Sequence, residues 1–166
     1  MNKQLHRRLT LFVKPIELRI TPYALARISD DFHKCSTKYK PTNFFPLTNY
    51  FLYLRSIELG MKAVILSKSC TKKDKDFIKL KIGHDLVKLV KSYKNKVDKD
   101  VLSTKEEGIL RQINGFYKSK GLEYFTIEMI MSAARAYKNL PEIREVRDIS
   151  IKINKLIRNN KYFINY

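Results

Sequence analysis

The residues with types and spacing suited to chemistry gather in one stretch, 45–94. Glu58 falls on an apolar helical stripe with Leu47, Phe51, Leu54, Met61 and Ile65. An acid on such a stripe is costly unless a base or hydrogen-bond donor meets it. It either orients a histidine, with a raised pKa, or is held by Arg55, Lys62 or a facing helix. His84 and Asp85 follow Gly83 at the start of the next apolar run. A histidine at a helix start can act as a base or contact phosphate, because exposed amides there favour anions. Alternatively His84 or Asp85 caps the helix, and Asp85 suits its positive end. The balance favours structural roles for Glu58, His84 and Asp85. A meeting of Glu58 with His84 across the two helices is the most specific expectation.

Other chemistries find little footing. His33 and Cys35 lie two apart, but three His and two Cys supply no four-ligand zinc set. The five Gly are scattered, with no phosphate-cradling loop, and no serine or cysteine nucleophile motif occurs. Neither a metal nor a cofactor is expected. Lysines, in contrast, are dense: Lys68, Lys72, Lys73, Lys75, Lys79, Lys81, Lys88 and Lys91, with Phe77 and Tyr93 as aromatic candidates. A sequence-tolerant contact with an RNA backbone, with stacking on the rings, has this composition. A solvated loop and an ordinary polar helix face have it too.

The formal net charge is +18, which attracts polyanions. Lys outnumbers Arg 24 to 10, whereas base reading leans on the planar Arg fork. Abundant Lys, Ile and Asn would also follow from AT-rich coding. Cys35 and Cys70 form no disulfide framework, and no apolar run approaches the length of a membrane span. These features predict a cytoplasmic protein with no membrane partner.

Positioning these residues falls to helices. Thr21-Pro22 reads as a helix start over 22–35, and Ser103 with Glu106 as a capping box. Further helices are expected over 47–67, 84–94, 126–137 and 141–159, with Leu86, Leu89, Val90 and Tyr93 inward. Residues 67–81 read as an exposed loop, with a short turn at Phe77-Ile78 as an alternative within it. The predicted fold is all-α, an antiparallel up-and-down helical bundle over 45–159. Before it comes an N-terminal extension, 1–40, in which 9–20 form a short β-ribbon or a loose arm; after it comes a tail, 160–166.

The central pair resembles the HEPN domains of prokaryotes. The likeness rests on Arg55, Glu58, Lys62 and Ala63, then His84, Asp85, Leu86 and Leu89, then a Leu122-x-Tyr124 link. It implies a helical bundle, often dimeric, that is either a metal-independent ribonuclease or a non-catalytic RNA-associated module. Catalytic members carry an Arg and a His four to six residues apart in a late helix. Here Arg135, Arg144, Arg147 and Arg158 occur late, but no His follows His84. Arg27 and His33 have the spacing, yet lie in the first helix. The resemblance therefore favours a non-catalytic module, RNA-binding or interacting, in a stress or defence system of the toxin–antitoxin kind. RNA, a second copy, and an antitoxin or nucleotidyltransferase-type protein are the implied partners. The alternatives are a toxin-like ribonuclease using Arg27 and His33 or a rearranged site, and a homodimerising module with no nucleic-acid role.

Overall fold

A computed structural model describes residues 21–41, 46–97, 100–120 and 140–164. It is an all-α helical bundle, with no strand among the described residues. The helices are α1 (Pro22–Lys38), α2 (Leu47–Lys68), α3 (Lys72–Asp76), a π-helix (Phe77–Ile82), α4 (Leu86–Val97), α5 (Thr104–Lys118), α6 (Ile143–Arg158) and the short α7 (Lys161–Ile164).

α2 is the axis of the bundle. It packs against α1, α4 and α6, and Ile57, Leu54, Ala63 and Ile65 on it are fully enclosed. A helix apolar on most of its circumference belongs inside. Gly60 permits the closest approach. A Cβ there would lie 2.6 Å from Ile153 Cγ2 and 2.9 Å from Ser29 Oγ. Gly60→Ala is therefore expected to destabilise by about 1–3 kcal/mol, because overpacking outweighs the better helix propensity of alanine. A lower urea midpoint at unchanged slope is the readout.

Two helix starts follow the sequence signals. Thr21 Oγ1 accepts from the Ala24 amide at 3.1 Å, with Pro22 in the first turn. Ser103 and Glu106 form a reciprocal capping box. α1 is not an appendage: it lies along α2 and α6 and contributes Leu25 and Ala26 to the common core. Its buried apolar face leaves no reason for it to stand apart from residues 45–159. The 9–20 ribbon, the Leu122-x-Tyr124 link and the 126–137 helix fall outside the described residues.

The largest correction concerns 68–81. This segment is not a loop but α3 followed by the π-helix. Thr71 and Asp74 form a capping box, and Ile78 and Ile82 are buried, so the segment is pinned at both ends. Asp74 also accepts from Lys96 at 2.7 Å, which ties α3 to the end of α4. That bond, with those from Thr71 and Ser69, holds its carboxyl well below the usual range. The π-helix ends at Gly83, whose φ of 56° and ψ of −122° suit glycine.

Candidate functional site

Gly83 redirects the chain toward α2, and this turn assembles a charge cluster. Glu58 is 1% exposed. Its Oε1 accepts from Lys62 Nζ at 2.5 Å. Its Oε2 accepts from Arg55 Nη1 at 3.1 Å and from the Tyr117 hydroxyl at 2.5 Å, and lies 3.1 Å from His84 Nδ1. Lys62 Nζ also donates to the Gly83 carbonyl at 2.7 Å, so one lysine joins the turn to the helix. Burial by itself pushes the Glu58 carboxyl up. The Lys62 charge and the bonds from Lys62, Tyr117 and Arg55 outweigh that and hold it below its ordinary value. Glu58 is thus an ionised anchor, not an acid poised to give up a proton. The Tyr117 hydroxyl is pushed strongly upward by burial and then by the Glu58 charge, which keeps it a donor.

His84 precedes α4 and does not belong to its first turn. Its Nδ1 is 2.9 Å from Arg55 Nη1 as well as 3.1 Å from Glu58, so its tautomer decides which contact is a bond. Asp85 is the residue that caps α4. Its Oδ1 accepts from the Lys88 amide at 3.1 Å and from Asn114 at 3.2 Å, while Lys118 pairs with its Oδ2 at 3.0 Å. Burial would raise the Asp85 pKa, but these donors overcome it and lower it.

Five of the eight predicted lysines line two hollows, each bordered by the π-helix. One is a groove of about 480 Å³ lined by Phe77, Lys81, Ile82, Lys88, Lys91, Ser92 and Asn95. The other, about 180 Å³, opens over the Glu58 cluster and takes Lys75 and Lys79. Lys68, Lys72 and Lys73 are exposed and line neither. Tyr93 is not available for stacking. It is 2% exposed in the core, and burial pushes its hydroxyl pKa up to about 12. The inward face of α4, with Leu86, Leu89 and Val90, claims it; Phe77, 42% exposed, remains as the accessible ring.

Arg27 and His33 are not brought together. Six residues along a helix at 100° per residue place them about 120° apart in azimuth. Arg27 lines a hollow with Asp30 and Arg158 that does not include His33. His33 Nδ1 lies 2.9 Å from Ser150 Oγ, its ring rests against Tyr53, and burial lowers its pKa. It closes a buried network that spacing alone did not reveal. There Ser29 donates to the Ser56 carbonyl at 2.8 Å, and Asn154 donates to Ser56 Oγ at 2.9 Å. These bonds fix the register of α1, α2 and α6.

Among the described residues, no group of three His, Cys, Asp or Glu side chains is placed to hold a metal ion. No helix among them is long and apolar enough to cross a membrane. Comparisons with family models, with curated proteins and with solved structures returned no match.

Proposed function

We propose that this chain is a non-catalytic RNA-binding module that holds a single strand along the groove between the π-helix and α4. The carrying observation is the groove itself. Among the described residues, Lys81, Lys88 and Lys91 have no carboxylate within ion-pair distance, while Lys94 and Lys96 farther along α4 are paired. An exposed Phe77 stands among those unneutralised lysines. Cations that follow a phosphate chain, beside a ring on which a base can stack, are the requirements of sequence-tolerant single-strand binding. Ser92 and Asn95 add neutral donors to the same wall. The HEPN resemblance, carried by the sequence, is consistent with this reading and extends it to a stress or defence role. Arg27 and His33 line no common hollow among the described residues, which weighs against that pair as a ribonuclease centre.

Fluorescence anisotropy with a labelled oligouridine tests the proposal. Affinity is expected to fall steeply between about 50 and 200 mM salt, with a log–log slope of about −0.7 per phosphate neutralised. Phe77→Ala should weaken binding by about 1–3 kcal/mol and leave that slope unchanged, since stacking is not ionic. Lack of binding at low salt would instead make the basic charge a consequence of coding composition.

A further inference from the structure

We infer that the smaller hollow bordered by the π-helix is a binding site for a short aliphatic carboxylate. This inference does not rest on RNA binding and concerns a different set of side chains.

The cavity of about 180 Å³ has apolar walls from three elements: Leu25 on α1, Leu59 and Leu66 on α2, and Ile78 on the π-helix. Such walls favour a hydrocarbon guest. Its charged residues are Arg55, Lys62, Lys75 and Lys79, against Glu58 as the single acid. Both Glu58 oxygens are already occupied, Oε1 by Lys62 and Oε2 by Arg55 and Tyr117. Among the described residues, Lys75 on α3 and Lys79 on the π-helix have no acidic partner, and both line the hollow. Arg55 meets Glu58 and His84 through Nη1 alone, and a guanidinium has five donors, so it has capacity for a second carboxylate. The site therefore pairs a largely hydrocarbon lining with a surplus of positive charge.

Size and charge select the guest. The volume equals that of about six water molecules, room for about six to eight non-hydrogen atoms. A nucleotide is far larger. A carboxylate on a chain of about five or six carbons fills the hollow with its tail and reaches Lys75, Lys79 and Arg55 with its head.

Isothermal titration of the full chain, free of RNA, with the series acetate, butanoate, hexanoate and octanoate tests this. One-to-one binding is expected, tightening about fourfold per added methylene until the cavity is full near hexanoate. Hexanol should bind at least tenfold more weakly than hexanoate. Lys79→Met, a change at an exposed position, should weaken hexanoate at least threefold and leave hexanol unaltered. Leu59→Phe should exclude both guests. Lys81→Glu, in the other groove, should leave hexanoate binding in place, so failure of one site is distinguishable from failure of the other. The inference is overturned if no member of the series saturates, if hexanol and hexanoate bind equally, or if Lys79→Met leaves hexanoate affinity unchanged.

Discussion

Glu58→Ala is expected to cost about 3–5 kcal/mol of stability, because it strands buried partners without a counter-charge. Lys62, 8% exposed, would keep only the Gly83 carbonyl, and the Tyr117 hydroxyl would lose its acceptor. Arg55 is half-buried and can turn partly to water, which places the loss toward the lower end of that range. A fall in Tm of about 10 °C would correspond in a protein of this size. The double variant Glu58→Met with Lys62→Met separates charge stranding from packing. Removing both charges together is expected to restore part of the loss, the Lys62 stranding, while the Tyr117 hydroxyl and Arg55 still lack their acceptor.

The same cluster sets an acid limb. The carboxyl of Glu58 is lowered in the folded protein from its ordinary 4.5. Its contribution is therefore fully present above that value and lost as pH falls through the folded value. Urea midpoints measured from pH 7 downward should decline below about pH 4.5 in the native chain. In the double variant that part of the decline should be absent.

Lys81→Glu, Lys88→Glu and Lys91→Glu combined are expected to lower RNA affinity at least tenfold at low salt. Losing three phosphate contacts flattens the log–log salt slope by about 2 units, and reversed charge adds repulsion. All three are exposed and lack acidic partners among the described residues, so the fold should be unaffected. Substituting Lys94, Lys96 and Lys118 instead would remove ion pairs to Glu107, Asp74 and Asp85. That comparison variant should lose stability while retaining RNA binding. The ion pairs distinguish lysines spent on the fold from lysines without an acidic partner among the described residues.

The helix starts and the central axis were legible in the sequence. Thr21-Pro22 and Ser103/Glu106 are local signals, and local signals survive folding. The stripe carrying Glu58, together with Gly83-His84-Asp85, pointed to the contact now seen at 3.1 Å. The π-helix was not legible. Its lysines suggested solvent, and the ordered backbone depends on Ile78 and Ile82 finding the core. The Thr71/Asp74 capping box has the same form as Ser103/Glu106, so the signal for α3 was present but was masked by charge. The Ser29, Ser56 and Asn154 network was hidden for another reason. Its members are far apart in sequence, and no spacing rule shows which small polar positions on three helices will meet. Tyr93 carried two readings, inward by helical period and stacking by its lysine neighbours; the inward one holds, and it excludes the other.

The central claim is that the π-helix and α4 hold the RNA strand. Amide chemical-shift mapping with oligouridine at low salt tests it most directly. The groove predicts that the largest perturbations fall on Phe77, Lys81, Lys88, Lys91, Ser92 and Asn95, and vanish as salt is raised. Perturbations centred instead on Arg144 and Arg147 of α6, or none at all, would contradict it.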